Sequence, residues 1–357
     1  MIGLWHVGAG VVAVFLTWAV VRLTRVWALR KGVLDRPNER SLHVVPTPRG
    51  GGVGIALVVT VLSLSSFALF PEFLGHRISI LAIGLVFSGA LLITVVSWLD
   101  DVHSGIHPFI RLMAHLSAAL LVVFGLGGWT LVEMPFLGSV SLSWIGPLAA
   151  AIWIVWLTNA YNFMDGIDGI AGIQALTAAG GWLAVGLLSR DVALSFVGTL
   201  IGCSVIGFLF HNWPPAKIFL GDTGSAFLGF SFAVIPVCAD KLLVSSPAAR
   251  RFPVAGLLMV APFIVDATFT LIRRLINGER LSQAHRSHLY QRLVISGLSH
   301  RTVSLLYLGL GLVGSSAGVA FLFVRRKVVA DAFAPASLVI ILLVPLIWAA
   351  CRESRAA

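Results

Sequence analysis

Five aspartates, Asp100, Asp101, Asp165, Asp168 and Asp222, each stand at the end of a long apolar run, in segments rich in glycine and asparagine. Such groups are costly beside an apolar medium, so their recurrence calls for a chemical cause. In SWLDDVHSGIHPFIRL, adjacent Asp100 and Asp101 point about 100° apart on a helix, which gives them different partners. Their repulsion calls for a cation, either Arg111 on the next helix or a metal. In WLTNAYNFMDGIDGIAG, Asn159, Asn162 and Asp165 recur every third residue and share one face of about 120°. Gly166 and Gly169 permit a break that swings Asp168 to the same side. KIFLGDTGSAFLGF places Asp222 among small residues at a helix start, where N–H groups and the helix dipole favour phosphate. An aspartate there repels phosphate unless a cation bridges them, so Asp222 is the first expected metal ligand. Oxygen donors of this kind suit Mg²⁺, which leaves much of its shell to phosphate and water.

Two basic segments join this set. PNERSLHVVPTPRGGGVG puts Arg49 before three glycines, a backbone that an anion can approach. RRLINGERLSQAHRSHLYQRL carries His285, Arg286 and His288, read as a phosphate clamp. A topogenic role is the plainer alternative for the positive charge, and no third ligand at suitable spacing supports zinc.

Elements able to hold these residues must be apolar. Hydrophobic residues make up 58% and charged residues 11% of the 357, and mean hydropathy is +0.96, far from a soluble composition. Apolar stretches fall near 2–21, 52–70, 79–99, 110–127, 145–161, 169–188, 192–210, 224–239, 253–272, 302–324 and 333–351. Without water to satisfy the backbone, these should be helices, and no barrel-like alternation is present. The expectation is an all-α polytopic membrane protein, a single domain over 1–357 with about 10 to 11 helices.

Arg22, Arg25, Arg30 and Lys31 follow the first stretch and no basic residue precedes it, the reverse of a cleaved signal peptide. The N-terminus is therefore expected outside, and alternation puts all five aspartates and most of the 25 basic residues on the cytoplasmic face. Arg250, Arg251 and the Arg325, Arg326, Lys327 run oppose this bias and leave the helix count near the C-terminus open. Cys203, Cys238 and Cys351 are scattered, fitting neither a disulfide framework nor a metal cluster. The net charge of +10 suits anionic headgroups or an anionic substrate rather than nucleic acid.

Taken in order, DRPNERSLHVVPTPRGGG, LDD with Arg111 downstream, NAYNFMDGIDGIAG, FLGDTGSAFLG and HRSH resemble the polyprenyl-phosphate N-acetylhexosamine-1-phosphate transferase superfamily, between Arg36 and Arg292. The resemblance implies a UDP-sugar and undecaprenyl phosphate as substrates, UMP as a product, and Mg²⁺, or Mn²⁺ in its place, as cofactor. It further implies that Asn162 and Asp222 hold the metal and that Phe219 stacks on uracil. Arg111, Arg286 and His288 would contact phosphates, with Arg49 and His285 as further substrate-binding positions. Asp100 would be a base or nucleophile beside the lipid phosphate. Asp101, Asp165 and Asp168 complete the catalytic carboxylates, the last two supporting uridine contact and loop placement. A bacterial inner-membrane location among membrane lipids, with a homodimer as a candidate assembly, belongs to the same expectation.

The last motif, AHRSHLYQRL, lacks a triple histidine and resembles the branch that begins O-antigen or related surface polysaccharides. That leaves the N-acetylhexosamine open, with N-acetylglucosamine as default. Two rivals are weaker. CDP-alcohol phosphatidyltransferases require an Ala-Arg pair and two further aspartates after the Asp-Gly, which Asp168-Gly169 lacks. A transporter or lipid flippase would use Asp266 deep in the ninth stretch, with pairing to Arg273 as the plain alternative, but it would spread polar groups through membrane depth.

Overall fold

The computed structural model describes residues 3–37, 41–74, 77–103, 105–243, 248–280, 285–324 and 326–356. Part of the first basic motif, 38–40, and residues 281–284 before His285 lie outside them. The apolar runs fold as α1 (Gly3–Lys31), α2 (Gly52–Leu69), α3 (Ile80–His103), α4 (Pro108–Leu126), α5 (Gly146–Phe163), α6 (Ile170–Ser189) and α7 (Val192–Asn212). They continue as α8 (Gly221–Leu242), α9 (Phe252–Met259), α10 (Ala261–Ile276), α11 (Leu289–Ile295), α12 (His300–Phe323) and α13 (Lys327–Ala356). Two antiparallel pairs, β1 (Leu34–Asp35) with β2 (Thr47–Pro48) and β3 (Leu131–Met134) with β4 (Gly138–Ser141), are small additions.

Among the described residues, ten helices are long and apolar enough to cross a membrane. The ninth stretch is different, because α9, with the turn before it, and α10 form a pair bent by 69°. Side-chain contacts fix how the ends alternate. His6 of α1 meets Ser195 of α7 at 2.9 Å at one end of the bundle. Arg292 of α11 pairs with Glu353 of α13 at 2.6 Å at the other. Arg251, just before α9, pairs with Glu133 in the segment between α4 and α5, whereas His300, at the start of α12, stands 3.5 Å from Asp168 after α5. The bent pair therefore runs from one end to the other and makes an eleventh crossing among the described residues, and the chain is a multi-pass membrane protein. One of the basic residues that opposed the charge bias is locally neutralised: Arg251 pairs with Glu133 at 2.9 Å.

Helix limits differ from the sequence expectation where local chemistry extends them. The eighth stretch begins at Gly221 rather than near 224, because Asp101 of α3 accepts the first N–H groups of α8. The first runs on to Lys31, its Arg22 guanidinium lying 5.5 Å from the Trp18 ring centre, since a long aliphatic stem lets an arginine reach the interface. Close packing then brings the functional ends together. A Cβ on Gly52 would stand 2.1 Å from the Cα of Gly224, so α2 and α8 touch backbone to backbone.

Candidate functional site

At the end of the bundle where α3, α5 and α7 finish and α8 begins lies a polar cavity of about 260 Å³. Asp101, Asn162, Asp165, Asp168, Phe219 and Asp222 line it, with Arg49 and His43 at the β2 side. Four of the five aspartates expected to converge therefore meet in one cavity, and Asp100 reaches it through Arg111. The Asp100–Asp101 pair divides as the helix geometry requires. Asp100 Oδ2 lies 3.0 Å from Arg111 Nη1, and its Oδ1 accepts from Ile106 N at 2.7 Å. The same Arg111 nitrogen bonds Asp222 Oδ2, so one guanidinium joins the two carboxylates.

Asp101 has a different task. It is 2% exposed and accepts from Asp222 N at 3.0 Å, Thr223 N at 3.0 Å and Thr223 Oγ1 at 2.6 Å. It thus satisfies the open N–H groups of α8 from a neighbouring helix, the service an N-cap performs. Gly221, at φ +77°, lets the chain make this approach, since a Cβ there would fall 2.6 Å from the Asp101 carboxylate.

The expected single face of Asn159, Asn162 and Asp165 is divided. Asn162 lines the cavity and accepts from Ser225 Oγ at 3.3 Å. α5 ends at Phe163, so Asp165 belongs to the following loop. Asn159 turns the other way, donates to Val155 O at 2.7 Å and lines a groove on the bundle's flank. The glycine break does return Asp168 to the cavity, where it accepts from Ala216 N at 3.0 Å. Burial, then repulsion from Asp222, Asp101 and Asp168, holds the Asp165 carboxyl well above the usual carboxylate range.

Two of the three glycines after Arg49 have N–H groups already bonded rather than open to an anion. Gly51 N donates to Phe219 O at 2.9 Å and Gly52 N to Leu220 O at 2.8 Å, while Phe219 N donates to Pro48 O at 2.8 Å. Their smallness serves the α2–α8 contact, and the pairing sets Phe219 in the wall with His43 edge-on at 4.9 Å. Arg49 donates to Asp100 O at 3.3 Å.

None of His285, Arg286 and His288 lines the cavity. The reason is Asp266, which accepts from Leu289 N at 2.8 Å, Tyr290 N at 3.1 Å and Tyr307 Oη at 2.6 Å. Asp266 thereby caps α11, and His288 is drawn inward, its Nδ1 3.4 Å from the same carboxylate. Arg273, the expected partner of Asp266, donates instead to Ser287 O at 2.7 Å. Arg286 is exposed, and His285 is half-buried against the His288 ring. Asp266 therefore serves the fold rather than a pathway across the bundle.

Three lining residues were not picked out from the sequence as site residues. Asn212 accepts from Gly169 N and donates to Ile218 O, both at 2.9 Å, tying the two loops of the cavity together. An asparagine ending an apolar run before a proline pair was the available signal. Gln291 lines the cavity one turn into α11, and His300 stands 3.5 Å from Asp168. Neither has a spacing that marks it.

On the lipid-facing flank, an apolar groove of about 420 Å³ runs between α4 and α5, past Leu112, Leu116, Ile152, Val155 and Phe163. Leu112, which lines it, follows Arg111 in α4, and the Arg111 guanidinium bonds Asp222 of the polar cavity. Among the described residues no three His, Cys, Asp or Glu side chains form a ready metal cage.

The family model of glycosyl transferase family 4 matches residues 82–240, which include the Asp pair, the Asn162–Asp168 segment and Asp222. A decaprenyl-phosphate N-acetylglucosaminephosphotransferase of Mycobacterium leprae is 31% identical over 346 residues, covering 89% of this chain and 84% of its own. A probable undecaprenyl-phosphate N-acetylglucosaminyl 1-phosphate transferase of Bacillus subtilis is 29% identical, covering 84% of this chain and 80% of its own. A phospho-N-acetylmuramoyl-pentapeptide-transferase of Chloroflexus aurantiacus is 28% identical over 71% of this chain and 69% of its own. With a relative this similar along nearly the whole chain, and with the carboxylates of the matched region gathered at one cavity, the protein belongs to glycosyl transferase family 4.

Proposed function

We propose that the chain transfers N-acetylglucosamine 1-phosphate from UDP-N-acetylglucosamine to undecaprenyl phosphate, releasing UMP and priming a surface polysaccharide such as O-antigen. The observation that carries this reading is the position of Arg111, bonded to Asp100 and to Asp222 of the cavity and next in α4 to Leu112 of the groove. A prenyl chain lying in the groove brings its phosphate to that guanidinium. The nucleotide occupies the cavity, its base on Phe219 and its diphosphate towards Asp222. Both relatives named for N-acetylglucosamine support the donor. The basic bias of this end supports a cytoplasmic active site in a bacterial inner membrane, where nucleotide sugars are found.

The chemistry follows from charge. A lipid phosphate monoester is largely ionised near neutral pH, its second pKa being about 6, and needs no strong base. One of its oxygens attacks the sugar-bearing phosphorus, the bond from that phosphorus to the bridging oxygen breaks, and UMP leaves with that oxygen. Arg111 holds the attacking phosphate and offsets its repulsion from the diphosphate, while Asp100 fixes the arginine. Asn162 and Asp222 are the oxygen donors that would hold Mg²⁺, with Asp165 nearby. The fit rests on the side-chain oxygens that Asp101, Asn162, Asp165, Asp168 and Asp222 bring to one cavity and on the crowding of negative charge at Asp165. Mg²⁺ supplies neutralisation of the phosphate oxygens during transfer.

The test is UMP release by the purified chain in detergent, with a panel of UDP-N-acetylhexosamines, with and without undecaprenyl phosphate. Release that requires the lipid phosphate and is fastest with the N-acetylglucosamine donor is expected. Equal release without the lipid overturns the transfer.

A further inference from the structure

The opposite end of the bundle contains a second pair of joined spaces that the transfer reaction does not use. An apolar cavity of about 130 Å³ lies between α2, α3, α7 and α8, lined by Phe67, Ala90, Ile201, Phe230 and Val234 among others. Leu74 and Leu242 border it and also border a wider mouth of about 480 Å³. Glu72, Arg77, Arg190 and Asp191 rim that mouth. An apolar shaft under a charged rim is the shape of a site for an amphiphile.

We propose that this site holds one zwitterionic phospholipid of the leaflet facing away from the polar cavity, with one acyl chain in the shaft. Three observations choose the occupant. The shaft reaches Ala90, ten residues into α3 from Ile80, a depth of about 15 Å. That is roughly half of the ~30 Å hydrocarbon core, the depth of a single leaflet. Its size approaches that of the ~150 Å³ apolar cavity known to stay dry and take up an apolar ligand, and within a bilayer that ligand is a lipid chain. The rim carries two cations and two anions, and among the described residues none of the four is in direct ion-pair contact, Arg77 acting on Asp191 only through space. Arg77 donates to Leu242 O, and Asp191 accepts from Leu194 N at 2.9 Å. Each keeps further hydrogen-bonding capacity. A headgroup with a phosphate for the arginines and an ammonium for the carboxylates matches that rim, and a purely anionic headgroup does not.

The position gives the lipid a consequence. α2, α3 and α8 line the shaft here, and their other ends carry Gly52, the Asp100–Asp101 pair and Asp222. A chain filling the shaft keeps those three helices at fixed spacing.

The experiment is lipid extraction and mass spectrometry on the full chain after extensive washing in detergent. It compares the wild type with Ala90→Phe, which fills the shaft, and with the double variant Arg77→Gln/Arg190→Gln. The wild type is expected to retain about one phosphatidylethanolamine per chain, as a site occupied well above its dissociation constant does. Both variants are expected to lose it by about tenfold, the scale of a lost charge-assisted bond or a blocked site. If Ala90→Phe does not give a monodisperse protein, the arginine variant alone decides, since both arginines are exposed. Retention of an anionic phospholipid instead, no retained lipid, or equal phosphatidylethanolamine in the wild type and the arginine variant each overturns the proposal.

Discussion

Asp222 and Asp101 stand at the same helix start but act through different forces. Asp222 faces the cavity and the Arg111 guanidinium. Its removal in Asp222→Ala is expected to lower turnover by roughly two to three orders of magnitude, as loss of a main electrostatic stabiliser does, with thermal stability little changed. Steady-state rates beside a melting curve check both halves of that statement, and near-normal turnover contradicts the assignment. Asp101→Ala should show the converse emphasis. It strands three donors at the start of α8, a cost of about 3 kcal/mol or more, visible as a marked fall in melting temperature. The division between Asp100 and Asp101 was legible from the angle between helix neighbours. The inward turn of His288 was not, because it depends on Asp266, which approaches from a different helix.

At the scale of elements, the loop after α5 and the start of α11 form one unit. A Cβ on Gly166 would lie 2.1 Å from Tyr290 Oη, and Asp266 pins the Tyr290 backbone. Gly166→Ala is therefore expected to destabilise the protein by about 1–3 kcal/mol, with Tyr290→Phe in the same chain restoring most of the loss. A denaturation series on the four chains reads the coupling, and simple additivity of the two changes rules out the contact as the cause. Acid should loosen the same region. Burial, then the neighbouring His288 and Arg274, lowers His285 from 6.5 to about 4. The fold thus favours its neutral form, so this contribution is complete above pH 6.5 and is lost as pH falls towards 4. Hydrogen exchange over 285–292 should rise through that window in the wild type and rise less in His285→Asn. The apolar periodicity revealed the helices themselves, since each long run must satisfy its own backbone. It missed the 69° bend between α9 and α10, because a break inside a continuous apolar run leaves hydropathy unchanged.

At the scale of the molecule, the eleven crossings among the described residues bring residues separated by more than a hundred positions to one end, as Arg111 and Asp222 show. The motifs and their common side were readable in the sequence. The groove between α4 and α5 was not, since it is made by two helix flanks whose residues look like any lipid-facing surface. Arg111 bonds Asp222 of the polar cavity and neighbours Leu112 of that groove, and the proposed transfer needs a lipid phosphate and a sugar diphosphate to meet there. The most direct measurement is the stoichiometry of products formed by the full chain from UDP-N-acetylglucosamine and undecaprenyl phosphate, before and after chelation of divalent metal. One lipid-linked diphosphate sugar for each UMP, with both lost on chelation and restored by Mg²⁺, is the predicted result. UMP formed without the lipid product, or product formation indifferent to chelation, would contradict it.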